Sequence, residues 1–265
     1  MEHELGTNRA LWDELVAVHA ASAFYDVAAF RAGGSTLRPL ELEEVGDVRG
    51  KRLLHLQCHF GLDTLSWARL GAEVTGVDFS EEALSLARRL AQEIGVPATF
   101  VRADVLELPH HLSRAFDLVF TSYGVLTWLP DLGRWGEVVA RSLEQGGTFY
   151  LADQHPLGSV FAERDGKLVA SHPYFTAAPA VETGQGSYAD RSAVLANTTS
   201  YQWQHTLSGV VNALTAAGLR IEFLHEFPFC MFQWLPSMVQ GADGWWRLPG
   251  RDDLPFLFSL RATRR

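Results

Sequence analysis

The chain has 265 residues, 47% hydrophobic and 20% charged, the size and make-up of one large α/β domain that buries its core without disulfides or metals. Its 22 Lys and Arg against 31 Asp and Glu give a net charge of −9, which argues against a protein that tracks nucleic-acid phosphates. The composition excludes disorder, collagen and coiled coil, and no apolar run reaches the roughly 18 residues of a membrane span.

Residues 8–30 carry a helical pattern through Leu11, Leu15, Val18 and His19, broken at Gly33-Gly34-Ser35. The apolar run Arg52–Leu56 reads as a buried strand, followed by a helical period through Leu62, Leu65 and Ala68 that stops at Gly71. A second strand, Glu73–Val77, ends in Asp78; Ser80 then caps a helix with Glu81 and Glu82 in its first turn and Arg88 and Arg89 late, stopping at Gly95. Strands follow at Thr99–Arg102, Phe116–Thr121 and Thr148–Ala152, with a helix over Leu132–Leu143. Strand and helix alternating at this spacing predict βαβ units and a parallel sheet.

After Asp153 the pattern changes. Residues 155–200 are rich in Pro, Gly, Ser, Ala and Tyr without a sustained period, as in a functional insertion. Regularity returns with a helix near Thr206–Ala217, a strand at Leu219–Phe223, a Trp- and Pro-rich stretch at 229–256, and a last strand at Phe256–Ala262. The expected fold is a Rossmann-like, doubly wound, mostly parallel seven-stranded sheet with helices on both faces. Residues 1–50 form an N-terminal helical cover, 51–265 the main domain, and about 155–204 a substrate-side insertion.

Gly61, Asp78 and Asp104 follow the ends of the first three strands, where an open parallel sheet binds its ligand. An acid at Asp78 suits a ribose diol, and Asp104 is placed for the exocyclic amine of adenine, so together they describe an adenosine site. A dinucleotide needs G-x-G-x-x-G to bring its pyrophosphate to the helix. Here the turn reads Gln57-Cys58-His59-Phe60-Gly61, which suits an adenosine cofactor without phosphates, such as S-adenosylmethionine.

With these residues the sequence resembles the class I S-adenosylmethionine-dependent methyltransferases, well over 50–155 and more loosely elsewhere. The runs LLHLQCHFGLDTLSWARLGAEVTGVDFS, FVRADVLELP, FDLVFTSYGVLTWLPDL and LEQGGTFYLAD carry the likeness. The resemblance implies that Asp78 binds the ribose hydroxyls, Phe79 flanks the adenine, and Asp104 and Val105 contact its edge. It further implies that Gln57, His59 and Gly61 line the methionine tail, with Thr121 approaching from the fourth strand and Tyr25 from the cover. The family's acid in the first strand is His55 here, and its first two loop glycines are Gln57 and His59.

Ten histidines raise the question of a metal, but there is no H-E-x-x-H or Cys/His cluster, so none is expected. His155, two residues beyond Asp153, and His205, after Tyr201-x-Trp203, are the candidate bases for a hydroxyl acceptor. Tyr123, Trp128 and Trp203 are candidate walls for the acceptor, with Phe229, Trp234 and Trp245-Trp246 beside them. The expected activity is methyl transfer from S-adenosyl-L-methionine, leaving S-adenosyl-L-homocysteine, to an O or N atom of a small, aromatic or partly apolar metabolite. Two alternatives are an NAD-dependent oxidoreductase, disfavoured by the missing glycines, and a non-catalytic cofactor-binding module. Thr121-Ser122-Tyr123-Gly124 stands where nucleic-acid methyltransferases carry (Asn/Asp)-Pro-Pro-(Tyr/Phe), and no nucleic-acid partner is expected. Two distant cysteines, Cys58 and Cys230, fit free thiols. The first residues, Met1–Leu5, lack the layout of a signal peptide. A cytoplasmic monomer or homodimer, bound to no membrane, completes the expectation.

Overall fold

The computed structural model describes residues 2–112 and 115–265. Three helices come first: α1 (Glu2–Ala21), α2 (Val27–Arg31) and α3 (Pro39–Val45). The alternating part follows as β1 (Arg52–Leu56), α4 (Leu62–Arg69), β2 (Glu73–Asp78), α5 (Glu81–Glu93), β3 (Thr99–Arg102), β4 (Phe116–Ser122), α6 (Leu132–Ser142) and β5 (Leu143–Gln154). The insertion contributes two hairpins, β6 (Phe161–Arg164) with β7 (Lys167–Ala170) and β8 (Ala180–Thr183) with β9 (Thr199–Gln202). The chain closes with α7 (Leu207–Ala216), β10 (Leu219–Phe227), the short strands β11 (Phe229–Cys230), β12 (Val239–Gln240) and β13 (Trp246–Arg247), and β14 (Leu257–Arg264).

The main sheet has seven strands among the described residues, in the order β10-β14-β5-β4-β1-β2-β3. The pairs from β5 to β3 are parallel, whereas β14 runs antiparallel to both β5 and β10. The expected Rossmann-like, doubly wound sheet is therefore the one observed. The chain leaves β1 first toward β2 and β3, then returns to β4 on its other side. That reversal opens a crevice beyond the carboxyl ends of β1 and β4.

Both faces of the sheet are covered, which is why its strands read as continuous apolar runs. Leu54 and Leu56 of β1, Val119 of β4 and Phe149 and Leu151 of β5 pack under α6 and α7. The alternate residues Leu53, Leu118, Phe120 and Tyr150 point to the opposite face, where Trp67 of α4 and Val45 of α3 cover them. Helix α5 starts where expected, because Ser80 Oγ accepts from Ala83 N at 3.1 Å.

The structure departs from the sequence pattern at both ends. The single helical period over 8–30 is two helices, separated where Asp26 takes a left-handed conformation (φ 35°) and caps α2. The strand expected at Thr148–Ala152 begins at Leu143, directly after α6, so Gly146-Gly147 lie within it rather than before it. The last strands also run longer than their apolar cores, to Phe227 and Arg264.

The N-terminal helix is fastened to the insertion. The Asn8 amide donates to Tyr201 O and accepts from Tyr201 N, both at 2.8 Å, as a strand neighbour would. Glu14 accepts from the backbone N–H groups of Ala196 and Asn197 at 2.7 and 2.8 Å. Two segments far apart in sequence thus form one layer over the crevice.

Candidate active site

A cavity of about 1190 Å³ occupies the crevice, walled by the strand ends, α1, α2 and the segment that follows it, the insertion and the 229–256 region. Its floor is the loop after β1. Gln57, His59 and Gly61 all have positive φ, at 55°, 50° and 77°. Two of these are positions where the resembling family has glycine, so the loop keeps that shape with side chains in it. A left-handed non-glycine residue costs about 1–2 kcal/mol, and specific bonds offset that here. Gln57 Nε2 donates to Val125 O at 3.1 Å, and His59 N donates to Asp78 Oδ2 at 2.8 Å. His59 Nε2 also lies 3.0 Å from His19 Nδ1 of α1. Burial and the neighbouring His19 hold the His59 imidazole well below the ordinary histidine pKa, and burial lowers that of His19 to about 4. The pair is neutral at neutral pH and shares one hydrogen.

Gly61 is fixed for two reasons, its left-handed φ and the space around it. A Cβ there would lie 2.8 Å from the Phe100 ring and 3.2 Å from Ala87 Cβ. Gly61→Ala is expected to destabilise the fold by about 2–3 kcal/mol, read as a lower denaturation midpoint at unchanged m-value.

Asp78 ends β2 and lines the cavity with Phe79. Its carboxyl is fixed by His59 N on one oxygen and Ser80 N, at 2.9 Å, on the other. Burial raises its pKa to about 6, opposed by these N–H donors. Tyr25 lines the cavity from above, its hydroxyl bonded to that of Tyr188 from the insertion and its ring stacked on His19 at 5.2 Å.

Three expected cofactor contacts fall elsewhere. Thr121 is fully buried and does not line the cavity; its hydroxyl donates to Leu56 O at 3.2 Å. Ser122 lines the cavity instead, since side chains alternate along a strand. Asp104 caps the short turn Val105–His110 by accepting from Leu106 N at 2.9 Å, and borders a separate hollow of about 370 Å³ beside Leu5, Gly6 and Arg9 of α1. Val105 is buried in the core under α6. The start of α1 lies against this side of the site, with the Arg9 guanidinium 5.8 Å from the centre of the Phe79 ring.

The acceptor side is organised by Asp153, which the sequence reading used only as a strand end. Its carboxylate accepts from the backbone N–H groups of Gly124, Val125 and Leu126, which sets the course of the β4–α6 loop. That loop presents Tyr123 and Trp128 to the cavity, and Trp203 joins them, its backbone N–H donating to Thr127 O at 2.8 Å. His205 lines the same chamber. Its Nε2 is 2.7 Å from Leu129 O, and a carbonyl only accepts, so Nε2 carries the hydrogen and Nδ1 is the acceptor. Burial lowers its pKa, keeping this ring neutral.

His155 is a correction. It does not line the cavity, and its ring sits between the turn that follows it and β10. Nδ1 accepts from Leu157 N at 3.1 Å, and Nε2 lies 2.8 Å from Glu226 Oε1 on β10. Its backbone N–H also bonds Phe256 O, so the chain turns this side chain toward the sheet edge. His155→Ala is expected to cost about 1–3 kcal/mol of stability, seen as a lower melting temperature, and to leave the chamber chemically intact. Of the other aromatics, Trp234 lines the cavity, whereas Phe229 and Trp245 do not and instead meet each other at a tilt of 37° with ring centres 4.7 Å apart.

Sequence reasoning also missed Glu41, which α3 buries completely beside Tyr123. Burial, and then the negative charge of Asp63, raise its pKa to about 8. The folded state therefore holds this proton longer than the unfolded chain, and stability falls as pH rises from about 4.5 through about 8. Glu41→Gln is expected to remove that slope and to stabilise the protein at pH 9 by about 2–4 kcal/mol, measured by denaturation at pH 5 and pH 9.

The chain matches the family model described as a methyltransferase domain over residues 53–147. It is 34% identical over 164 residues to a ubiquinone biosynthesis O-methyltransferase of Alkalilimnicola ehrlichii, covering 59% of this chain and 66% of that protein. Against the enzyme of the same name from Photorhabdus laumondii it is 31% identical over 136 residues, covering 50% and 56%. The chain thus spans between half and two thirds of the length of these relatives. Among solved structures, an S-adenosylmethionine-dependent methyltransferase from Mesorhizobium loti superposes with a TM-score of 0.59 at 23% identity, covering 93% of this chain and 100% of that one. A glycopeptide N-methyltransferase complexed with S-adenosyl-L-methionine gives 0.55 at 21% identity, covering 84% and 90%. The sheet order, the strand-end crevice and the matched segment agree: residues 53–147 match a methyltransferase domain, and the chain has the fold of the S-adenosylmethionine-dependent methyltransferases.

Proposed function

We propose that the protein transfers a methyl group from S-adenosyl-L-methionine to an O or N atom of a small, aromatic or partly apolar metabolite. The observation that carries this reading is one continuous cavity, reaching from the Gln57–Gly61 loop and Asp78 to an aromatic chamber with a neutral histidine. The cofactor fits the residues present. Asp78 offers a fixed carboxyl for the ribose diol, Phe79 a ring for the adenine, and Gln57 Oε1 is a buried acceptor with no partner in the protein. Tyr25 closes over this part from the cover, His59 and Gly61 shape its floor, and Ser122 takes the place expected of Thr121.

When bound, the cofactor supplies a methyl group already activated on a sulfonium. What remains for the protein is to aim the acceptor, exclude water and manage one proton. Tyr123, Trp128 and Trp203 are the walls that hold an aromatic acceptor and keep water out. His205 Nδ1 receives the proton of an acceptor hydroxyl, while Leu129 O holds the ring through Nε2–H. The relatives named as ubiquinone biosynthesis O-methyltransferases support an oxygen acceptor.

Among the described residues no group of three or more His, Cys, Asp or Glu side chains is placed to hold a metal ion, and no helix is long and apolar enough to cross a membrane. The reading is a metal-independent enzyme acting on a small molecule in the cytoplasm. Methyl transfer from tritium-labelled S-adenosylmethionine to a panel of phenols and amines tests it. Label in an organic-extractable product, undiminished by EDTA, is expected. A purified protein that binds S-adenosylhomocysteine but labels nothing would favour a non-catalytic module. Turnover lost to EDTA and restored by magnesium or zinc would overturn metal independence.

A further inference from the structure

One cation in the cavity has no role so far. Arg38, just before α3, is the single Lys or Arg among the described residues lining it. Its guanidinium lies over the Trp245 ring, 4.4 Å from the centre, and donates to the Gly244 and Met231 carbonyls at 3.4 and 3.5 Å. These contacts anchor it to the 229–256 region and leave most of its five N–H donors unused. Trp245 in turn meets Tyr123 edge-on, with ring centres 6.4 Å apart. Arg38 therefore stands beside the wall that Tyr123 gives the acceptor chamber.

The neighbouring acids do not neutralise it. Glu41 feels its charge, yet both Glu41 carboxyl oxygens lack a partner and burial keeps that group protonated at neutral pH. Asp63, which also lines the cavity, accepts from the hydroxyls of Thr36 and Ser122 at 2.5 and 3.1 Å. Asp153 is taken up by the backbone of the β4–α6 loop. A half-buried cation without a counter-charge has lost hydration that only a ligand can replace.

One cation balances one negative charge. A carboxylate carries that charge and matches the guanidinium fork with its two oxygens, whereas a phosphate monoester carries nearly two charges. We propose that Arg38 sets acceptor specificity by receiving a carboxylate of the substrate, which is therefore a hydroxylated aromatic acid. Its ring lies along Tyr123, with the hydroxyl toward His205 and the carboxylate toward Arg38. The carboxylate is no part of the reacting group, so the contact is as strong before transfer as during it and acts on KM. This assignment rests on the methyl-transfer reading above and narrows its substrate class.

Paired substrates test it: hydroxybenzoic, dihydroxybenzoic and hydroxycinnamic acids against their primary amides, with tritium-labelled S-adenosylmethionine as donor. The parent is expected to label at least one acid with a KM about ten- to hundredfold below that of its amide. Arg38→Met, which keeps an apolar stem against Trp245, is expected to erase that preference by raising KM for the acid, with kcat for the acid within about twofold. Arg38→Lys should recover part of the preference, since it restores the charge without the fork. Calorimetry with S-adenosylhomocysteine shows that each variant is folded and separates acceptor from cofactor; affinity within about twofold of the parent is expected. Amides labelled as well as acids, no acid labelled, or S-adenosylhomocysteine weakened along with the acid in Arg38→Met each overturn the assignment while the cofactor reading stands. A parent protein that binds no S-adenosylhomocysteine overturns the cofactor reading itself.

Discussion

Replacing His205 by alanine is expected to lower kcat on a hydroxyl acceptor by about 10²–10⁴-fold, the usual worth of a positioned general base. The geometry gives the reason. Leu129 O fixes the hydrogen on Nε2, so the lone pair of Nδ1 is available without any tautomer change. Burial lowers the His205 pKa below its ordinary value of 6.5, so the base form predominates at neutral pH. The rate therefore falls only as pH drops below the ordinary histidine range, and this acidic limb is expected to vanish in the variant. Cofactor affinity should stay within about twofold, because Asp78 and the floor loop are untouched; an uncharged amine acceptor, which needs no base before attack, would show a milder drop. Steady-state kinetics across pH 5–9 checks both points. Full activity of His205→Ala at every pH would remove this residue from the reaction.

Asp78→Ala is expected to weaken S-adenosylhomocysteine by roughly ten- to a hundredfold, the loss of a carboxylate contact worth about 1.5–3 kcal/mol. The parent protein carries a pH signature of the same contact. Its Asp78 carboxyl titrates near pH 6 because it is buried, and the ionised form is the one that accepts from two hydroxyls. Affinity should fall as pH drops through about 6, by up to about tenfold per unit, and Asp78→Asn should flatten that dependence. Calorimetry at pH 5, 6 and 7.5 measures it, and binding unchanged in Asp78→Ala would sink the ribose assignment.

The middle of the sheet was legible because β1, β2 and β4 are buried along nearly their whole length, so they appear as apolar runs, whereas the edge strands β3 and β10 are only partly buried. Motif spacing also located the floor loop and Asp78. It could not fix which side chain turns inward at a strand end. One residue of offset separates Thr121, bonded inside the sheet, from Ser122, which faces the cavity. His155 was misplaced for a related reason: its partner Glu226 is distant in sequence, on a strand whose register only the fold reveals. Asp104 and Val105 were assigned without knowing that α1 packs beside them. The left-handed Gln57 and His59 were hidden as well, because their stability comes from Val125, Asp78 and His19, contacts with no local signature. Asp153 sits singly in ordinary sequence and acquires meaning only where the end of β5 meets the backbone of the β4–α6 loop.

A crystal structure with S-adenosylhomocysteine bound tests the central claim most directly, since it locates the cofactor and the acceptor chamber together. The expected result has the ribose diol on the Asp78 carboxylate, the adenine against Phe79, and the sulfur facing the space enclosed by Tyr123, Trp128, Trp203 and His205. Adenosine bound away from Asp78, or a sulfur walled off from that chamber by protein, would contradict it.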